Sequence, residues 1–289
     1  MMKAALIHKY GQKELSIEEV PLPTIHDNDV LVKIIAASIN PIDLKTKDGK
    51  VKMLLNYQMP LILGSDFAGI VVSVGKNVQN FRMGDAVYGR VPKNRVGTFA
   101  EYIAVDQAAV AMKPKNLTFE EAAAIPLVGL TSYQALHDIM NVQPGQKVLI
   151  QAGSGGIGTI AIQLAKLAGA YVATTTSSRN KEWVQALGAD EVIDYRTQNF
   201  EEVLSDYDYV FDTMGGTILE KAFSVVKPQG KVVTLSGIPN ERFAKEYGLP
   251  LWKQWAFKIA TRKIHRLEQA TDVSYHFLFM RPDGEQLAL

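Results

Sequence analysis

The residues of this sequence best suited to binding an anion are Gly153–Gly158, which read Gly-Ser-Gly-Gly-Ile-Gly. An apolar stretch, 147–152, precedes them, and a helical pattern with one apolar face follows. In this context Gly153 is expected to make a tight turn, Gly155 to let the backbone approach a pyrophosphate, and Gly158 to let helix and strand pack closely. Free N–H groups at the start of the helix would bind the phosphates. The alternative is a glycine-rich turn without a ligand.

The next apolar stretch ends in residues 173–180, ATTTSSRN, which include no acidic residue. A site for NAD usually has Asp or Glu about twenty residues after the first glycine, where it binds the ribose 2′-hydroxyl. A carboxylate would repel a 2′-phosphate, whereas the hydroxyls of Ser177 and Ser178, the guanidinium of Arg179 and the ammonium of Lys181 would bind it. The sequence therefore favours NADPH over NADH. The alternative is that these polar residues only cap a helix.

Two different patterns surround these residues. Up to about residue 124 the chain has short β-like runs broken by Pro, Gly and Asn, for example 30–38, 67–75, 85–91 and 99–105. Such runs predict an antiparallel, barrel-like module. From residue 147 onward strands and helices alternate, which predicts parallel βαβ units in a doubly wound sheet.

Two further segments are expected to be helical. An Ala-rich segment follows Thr118, which is a plausible N-cap with Glu121 as its capping-box partner. The stretch 248–270 is basic and carries Trp252 and Trp255. It is expected to be one helix that forms a surface cap or a partner face, and the alternative is an ordinary solvated helix.

The composition excludes several classes of protein. The 289 residues include 31 Lys or Arg and 30 Asp or Glu, without a block of either charge, so neither a nucleic acid nor a polybasic membrane contact is expected. The absence of cysteine excludes disulfides, thiolate metal sites and cysteine nucleophiles, and is compatible with a reducing cytosol. The first residues are too short an apolar run for a signal peptide, and no apolar run reaches about twenty residues. We expect no membrane span.

The position of the glycine loop distinguishes between dehydrogenase classes. Short-chain dehydrogenases have this loop at the N-terminus and use a Tyr-x-x-x-Lys pair, and none of the eleven tyrosines here has a lysine four residues later. A series of ordered segments instead resembles the medium-chain dehydrogenase/reductase superfamily. These segments are VLVKIIAASINPIDLKTKDG (30–49), LILGSDFAGIVVSVGKNVQNFRMGDAVYG (61–89), GTFAEYIAV (97–105), AAAIPLVGLTSYQAL (122–136), AGSGGIG (152–158), LGADEVIDY (187–195) and FDTMGG (211–216).

Within that superfamily the sequence is most similar to the zinc-free quinone oxidoreductase-like, or zeta-crystallin-like, branch. Zinc alcohol dehydrogenases carry a catalytic Cys and a Gly-His-Glu where this chain has Ser38 and Gly64-Ser65-Asp66. The five histidines are scattered without the spacing of metal ligands. We therefore expect no metal site.

The resemblance implies a fold, a reaction and an assembly. The implied fold is an N-terminal GroES-like antiparallel β-barrel-type domain plus a Rossmann doubly wound parallel sheet. The implied reaction is hydride transfer from NADPH to a quinone or to the C=C bond of an α,β-unsaturated carbonyl. The product anion is stabilised by its own conjugation, so positioning and a hydrogen-bond donor suffice without a metal. The alternative is an NADPH-binding sensor or storage protein with little turnover.

The resemblance also assigns residues near the nicotinamide and the substrate. Asn40 and Asp43 are expected there, with Lys47 beside them to stabilise an oxyanion or contact a phosphate. The alternatives are an Asx-turn at Asn40 and a helix N-cap at Asp43. Some relatives carry a tyrosine just after this turn, where this chain has Lys45 and Val51, so the proton donor is not identified.

The remaining predicted residues contact the cofactor. By resemblance Thr131 lies near the nicotinamide ribose, although it could instead bond back to its own helical turn. Tyr195 is expected to pack by the adenosine phosphate. The segments Met214–Gly215 and Leu235–Gly237 are expected at the carboxyl ends of parallel strands, where such folds bind ligands. The complete predicted set is Thr131, Gly153, Ser154, Gly155, Gly156, Ile157, Gly158, Ser177, Ser178, Arg179, Tyr195, Met214, Gly215, Leu235, Ser236 and Gly237.

These assignments give a domain plan. Residues 1–124 are the expected GroES-like domain, 125–275 the Rossmann NADPH-binding domain, and 276–289 the start of a return to the first domain. Relatives continue beyond this point, so the sequence is expected to be truncated, which would leave an exposed strand edge. We also expect a cytoplasmic homodimer that pairs through an edge of the Rossmann sheet, with 273–280 as the candidate strand, and a small electrophilic substrate.

Overall fold

The computed structural model describes residues 1–52 and 54–289, which separate into two compact units. Unit 1 comprises Met1–Leu130 and Arg281–Leu289, and unit 2 comprises Thr131–Met280. Unit 1 contains antiparallel sheets and unit 2 a parallel one, so the predicted fold class is confirmed.

The strands are β1 (Met2–Ile7), β2 (Ser16–Val20), β3 (Asp29–Ser38), β4 (Leu61–Ile62), β5 (Asp66–Val74), β6 (Ala86–Arg90), β7 (Tyr102–Asp106), β8 (Val110–Met112), β9 (Lys147–Ile150), β10 (Tyr171–Thr176), β11 (Glu191–Asp194), β12 (Tyr207–Asp212), β13 (Val226–Thr234) and β14 (Ser274–Phe277). The α-helices are α1 (Pro41–Lys47), α2 (Phe119–Ala123), α3 (Pro126–Tyr133), α4 (Gly156–Leu167), α5 (Lys181–Ala186), α6 (Phe200–Val203), α7 (Gly216–Ala222), α8 (Glu241–Glu246), α9 (Leu251–Ala260), α10 (Arg262–Thr271) and α11 (Gly284–Leu287).

Unit 1 is built on two antiparallel sheets. One has the order β2-β1-β4 and the other the order β7-β3-β5-β6-β8. Alternate Val, Ile and Phe side chains of the larger sheet form a buried core that includes Val30, Val32, Phe67, Val87 and Val105. This alternation is the pattern of strands with one buried face. The carboxyl end of β3 leads directly into α1, and the start of β5 pairs with it, since Ser38 lies opposite Asp66.

The Ala-rich segment begins as predicted and then breaks. Thr118 Oγ1 accepts a hydrogen bond from the Glu121 amide at 3.2 Å, and the Glu121 carboxylate accepts one from the Thr118 amide at 2.8 Å. The capping box is therefore confirmed. Helix α2 nevertheless ends at Ala123 and α3 begins at Pro126, because a proline can start a helix but lacks the N–H that would continue one. Beyond α3 the chain continues as a π-helix over Gln134–Met140.

Unit 2 contains a six-stranded parallel sheet in the order β11-β10-β9-β12-β13-β14. In order of appearance this is 3-2-1-4-5-6, the strand order of dinucleotide-binding folds, in which the order reverses between β9 and β12. The glycine loop follows β9 and therefore lies at this reversal. Two buried clusters, one including Leu149 and Phe223 and the other Ile150 and Ile162, form the core of the unit.

The carboxyl-terminal segment packs within unit 1. The Tyr88 hydroxyl donates to the Leu287 carbonyl oxygen at 2.6 Å. A Cβ atom at Gly284 would lie 2.3 Å from the carbonyl oxygen of Val110, so glycine is required for this close approach. Residues 281–289 thus contact the strand β8 that closes the larger antiparallel sheet.

The basic segment 248–270 differs from the prediction of one helix. It forms α9 and α10, which meet at Thr261. The Thr261 hydroxyl donates back to the Phe257 carbonyl oxygen at 2.7 Å, and its backbone (φ −99°, ψ 14°) departs from helical geometry. In the part of the chain described, no helix has both the length and the apolar character needed to cross a membrane.

Candidate active site

The glycine loop of unit 2 is held from one side by the threonines of β10. Thr175 accepts from the Ala152 amide through its hydroxyl at 3.0 Å and from the Gly153 amide through its carbonyl oxygen at 3.0 Å. The Thr176 hydroxyl donates to Ser154 Oγ at 2.9 Å. The hydroxyl-rich stretch before Ser177 therefore supports the loop, a role that the sequence did not indicate.

Two of the four glycines are required by packing. A Cβ atom at Gly153 would lie 2.1 Å from Thr174 Oγ1, and one at Gly158 would lie 2.4 Å from the Ala152 carbonyl oxygen. The left-handed residue of the turn is Ala152, with φ +53°. Gly153 lies in the tight turn, as expected, since the Gly155 amide donates to the Ala152 carbonyl oxygen at 2.9 Å. Glycine is needed at 153 for the close approach to β10 rather than for its φ angle.

The other two glycines leave backbone donors open. Gly155 and Gly156 are exposed, and Gly155 is the N-cap residue of α4. No side chain among the described residues caps this helix, so its first amides keep free donors. Exposed amides at the positive end of a twelve-residue helix form a cradle for the pyrophosphate of a dinucleotide. The loop residues therefore fit this group.

The segment that follows β10, residues 177–180, provides further polar groups at the carboxyl end of that strand. Ser178 and Arg179 are exposed, whereas Ser177 is buried and precedes a 3₁₀ turn over Ser178–Asn180. The Ser178 amide donates to Asp194 Oδ2 at 3.0 Å. The Asp194 carboxylate also accepts from the Arg196 amide at 3.0 Å, and this hydrogen bond is the main cause that lowers its pKa. An acidic residue therefore lies at this end of the sheet after all, although its carboxylate is already bonded to backbone amides.

Arg196 is a second cation at the same edge. Tyr195 is 60% exposed, and the Arg196 guanidinium lies over its ring at 5.8 Å from the centroid. Sequence reasoning missed Asp194 and Arg196, because they come one strand later in the chain. The signal was the parallel pairing of β10 with β11, which puts Thr176 opposite Asp194.

The loops after β12 and β13 are held together by two buried polar residues. The Asp212 carboxylate accepts from the Met214 amide at 3.1 Å and the Gly215 amide at 3.0 Å, and it also accepts from the Thr234 hydroxyl. Thr234 Oγ1 in turn accepts from the amides of Ser236 at 3.2 Å and Gly237 at 3.0 Å. Burial raises the pKa of Asp212. The predicted segments Met214–Gly215 and Leu235–Gly237 are thus neighbours, and the sequence did not reveal the two residues that join them.

Thr131 is buried in α3 and only 3% exposed. Its neighbour Ser132 donates a hydrogen bond to the Ile157 carbonyl oxygen at 3.3 Å, which connects α3 to the glycine loop. The structure therefore puts the predicted Thr131 one residue from a direct contact with the loop.

Asn40 and Asp43 belong to one hydrogen-bonded cluster in unit 1. Asn40 precedes α1, and its backbone amide donates to Asp43 Oδ2 at 2.7 Å. Asp43 therefore lies in the first turn of α1, and the alternative that it is the N-cap was wrong. Ser65 Oγ donates to the other oxygen of Asp43 at 3.0 Å. Burial raises the pKa of Asp43, although both hydrogen bonds oppose that shift.

Asp66 is the centre of this cluster. Its Oδ2 accepts from Asn40 Nδ2 at 3.1 Å, from the Ser38 hydroxyl at 3.3 Å and from the Leu127 amide at 3.1 Å. Its Oδ1 is buried without a hydrogen-bond partner among the described residues, as is Nε of Arg90. Burial raises the pKa of Asp66 to about 7, despite the nearby positive charge of Arg90.

A second group near Arg90 also titrates near neutrality. Lys93 is half-buried, and desolvation, followed by repulsion from Arg90, lowers its pKa to about 7. Sequence reasoning missed Asp66, Arg90 and Lys93 as titrating groups, because nothing local indicates how deeply they are buried.

Lys47 does not join the cluster. Its Nζ donates to the Gln12 carbonyl oxygen at 2.9 Å and pairs with Asp48 at 3.0 Å. No hydrogen bond connects it to Asn40 or Asp43 in residues 1–52 or 54–289, and its expected contact with an oxyanion or a phosphate stays a prediction. Asp48 follows Lys47 directly, and its carboxylate forms an ion pair with the Lys47 ammonium group. This ion pair holds the Lys47 side chain.

Within residues 1–52 and 54–289, no three or more His, Cys, Asp or Glu side chains come together in a group that could hold a metal ion. Asp43 and Asp66 are neighbours, but their oxygens accept hydrogen bonds from Ser65, Asn40 and Ser38. The expected lack of a metal site stays a prediction.

Comparisons with known proteins agree with this architecture. Residues 26–115 match the alcohol dehydrogenase GroES-like domain, and residues 156–268 match the zinc-binding dehydrogenase family. The chain is 39% identical over 255 residues to the NADPH-dependent alkenal/one oxidoreductase of Arabidopsis thaliana, covering 84% of this chain and 65% of that protein. It is 37% identical over 251 residues to the chloroplast envelope quinone oxidoreductase homolog of the same plant, covering 83% of this chain and 76% of that protein.

A solved structure extends the likeness to the whole chain. The quinone oxidoreductase of Coxiella burnetii superposes with a TM-score of 0.81 at 33% identity, covering 99% of this chain and 85% of that one. The chain spans 60% to 65% of the length of several other curated relatives that it matches. On the order of its domains, its glycine loop and these similarities, the chain belongs to the medium-chain dehydrogenase/reductase superfamily, in the quinone oxidoreductase-like branch.

Proposed function

We propose that this protein is an NADPH-dependent oxidoreductase that reduces quinones or the C=C bond of α,β-unsaturated carbonyls. The observation that carries the proposal is the open, uncapped start of α4 at Gly155 and Gly156, directly after the central strand of a parallel sheet. The similarity to an NADPH-dependent alkenal/one oxidoreductase of Arabidopsis and to quinone oxidoreductases supports the substrate classes.

The residues of unit 2 bind and orient the cofactor. The amides at the start of α4 hold the pyrophosphate, while Ser178, Arg179 and Arg196 bind the 2′-phosphate. Asp194 orients this turn by accepting from the Ser178 amide. Asp212 and Thr234 fix the loops 214–215 and 235–237, which contact the dinucleotide at the ends of their strands. When bound, NADPH supplies the hydride.

The residues of unit 1 supply a proton. Reduction of a quinone or an enone leaves an oxyanion, which needs a hydrogen-bond donor and then a proton. Lys93 is a donor whose pKa of about 7 suits transfer near neutral pH. Asp66, bonded through Asn40 and Ser38, holds a proton in the same range. We assign the proton transfer to Lys93. The role of Asp66 is to orient the Asn40 side chain through their hydrogen bond.

The direct test is a titration with NADPH and NADH, followed by turnover with a panel of quinones and enones. We expect tighter binding of NADPH and oxidation of NADPH by members of the panel. Binding without turnover across the panel would instead favour the sensor or storage alternative. No binding of either nicotinamide would reject the proposal.

The role of Lys93 has its own test. We expect Lys93→Met to lower kcat by about a hundredfold and remove a titration near neutral pH, because general acid catalysis contributes about 10²–10⁴-fold. Lys115→Met removes an exposed lysine of the same unit and should leave the profile unchanged. An unaltered pH profile in Lys93→Met would exclude it as the donor.

We further propose a metal-free, cytoplasmic homodimer. Metal analysis of the purified protein should find no stoichiometric zinc. Strand β14 is an edge of the parallel sheet, the place where a strand of a second copy would add. Sedimentation of the purified protein tests the assembly, and fractionation of the source cells tests the compartment.

A further inference from the structure

A second candidate site lies in unit 2, away from the glycine loop. Helices α8, α9 and α10 line a half-open cavity of about 750 Å³, here called the arginine cavity. Its cationic lining residues include Arg242, Arg262 and Arg266, and Trp255 and Ile259 form an apolar part. This volume falls within the range of about 300–1,000 Å³ that holds small ligands.

The two acidic residues of the lining do not neutralise these arginines. Glu241 pairs with Lys245 at 2.8 Å and Lys258 at 3.2 Å. Glu268 accepts from the Tyr275 amide at 2.8 Å and lies 3.6 Å from His265. Both carboxylates are therefore occupied by other groups.

The arginines themselves have no carboxylate partner in the described part of the chain. Arg242 has a contact of 3.5 Å with His276, whose pKa is lowered to about 4 by burial first and then by nearby cations, so the ring is neutral. Arg262 and Arg266 are exposed and make no ion pair within residues 1–52 or 54–289. By contrast Lys263 of the same helix pairs with Glu220 at 2.6 Å. Unpaired cations are thus confined to the cavity side of this helix.

The arrangement also works against the helix that carries it. Arg262 and Arg266 are four residues apart, so two like charges share one face of α10, which destabilises an isolated helix. Arg262 begins the helix, where the positive end of the dipole disfavours a cation. An anion between the two guanidinium groups would relieve both repulsions.

We propose that the arginine cavity binds a small ligand that carries a phosphate chain and an aromatic group. Guanidinium groups bind phosphate oxygens in a bidentate manner, and three of them suit more than one phosphate. Trp255, which is 66% exposed, offers a ring on which a flat group can stack. A half-open recess, rather than a flat basic face, favours a small molecule over a polymer.

The probe is inorganic triphosphate, titrated calorimetrically at low salt into protein saturated with NADPH, so that the glycine loop is filled. We expect binding that weakens at least about tenfold in Arg262→Gln/Arg266→Gln, because the variant loses charge-assisted hydrogen bonds to the phosphate oxygens. Lys263→Gln removes the same charge from the same helix outside the cavity and should bind like the wild type. Adenosine triphosphate should bind more tightly than triphosphate, and Trp255→Ala should remove that difference.

Two controls separate triphosphate binding from loss of folding and from failure of the proposed NADPH site. The double variant relieves a repulsion, so its unfolding midpoint in urea should not fall. Gly155→Glu, which puts a carboxylate in the phosphate cradle, should lose NADPH and retain triphosphate binding. If the wild type binds triphosphate but no nicotinamide, only the reductase proposal fails.

Three results would overturn the cavity proposal. The first is no triphosphate binding by wild type at about millimolar concentration, and the second is an equal loss in Lys263→Gln. The third is much tighter binding of an RNA oligomer or of anionic vesicles through the same two arginines, which would identify a polymer or a membrane as the ligand.

Discussion

The glycine loop of unit 2 and the hydrogen-bonded cluster of Asn40, Asp43 and Asp66 in unit 1 present different kinds of polar groups. The loop presents backbone amides, which carry no titrating proton, and its shape is fixed by contacts with β10. The cluster presents side chains whose protonation depends on burial, with Asp66 at a pKa of about 7. The glycine loop should therefore respond to added side-chain volume rather than to pH, whereas the cluster around Asp66 should respond to pH.

The largest effect on cofactor binding should come from adding one methyl group to the loop. In Gly158→Ala the new Cβ would lie 2.4 Å from the Ala152 carbonyl oxygen, so the loop must move. We expect NADPH binding to be lost and the free energy of unfolding to fall by about 3 kcal/mol. Gly155→Ala is the matched control, because its Cβ would lie 3.2 Å from the nearest atom. It should weaken NADPH binding and leave stability nearly unchanged, as urea unfolding would show.

Asp66→Asn sharpens the other side of the comparison. The pKa of Asp66 is higher folded, at about 7, than its ordinary 3.8, so its contribution to stability is present below about pH 4 and lost as pH rises through 7. The asparagine cannot titrate. The stability of wild type relative to this variant should therefore fall by as much as about 4 kcal/mol between about pH 4 and pH 8.

The control for Asp66→Asn is Asp29→Asn. A hydrogen bond from Arg95 is the main cause that lowers the pKa of Asp29, so wild type should gain stability relative to that variant as pH rises to about 4 and should show no further change above it. Urea unfolding across the pH range measures both. A difference between wild type and Asp66→Asn that does not change with pH would mean that Asp66 stays ionised.

Arg179→Gln tests the charged end of the cofactor site in unit 2. The exposed guanidinium is expected to bind the 2′-phosphate, which NADH lacks. We predict NADPH affinity to fall by about tenfold or more, with NADH affinity unchanged. Arg82→Gln makes the same change at an exposed arginine of unit 1 and should affect neither titration. Equal losses for both nicotinamides would contradict the assigned role.

The smallest effect should come from one hydroxyl beneath the loop. Thr176→Val removes the donor to Ser154 Oγ and should lower stability by about 1 kcal/mol, with a small loss of NADPH affinity. Thr197→Val removes an exposed hydroxyl with a weaker contact, 3.4 Å, and should have less effect on unfolding. If the two variants unfold alike, the β10 hydroxyl does not support the loop.

Local patterns in the sequence were sufficient for the parts of the protein that form from neighbouring residues. The alternation of strands and helices, the capping box at Thr118 and the position of the glycine loop all depend on short spacings. Where a local pattern failed, a single residue was the cause. Pro126 split the Ala-rich helix, and Thr261 split the basic one.

The sequence by itself determined the order of the domains, the parallel sheet and the loop at the start of α4, because period and glycine spacing are properties of adjacent residues. Only the tertiary structure decided which side chains share a site. Asp194 reaches Ser178 through strand pairing, and Asp66 meets Asn40 across two antiparallel strands. It also decided which carboxyl group titrates near neutral pH, since burial rather than residue type raises the pKa of Asp66.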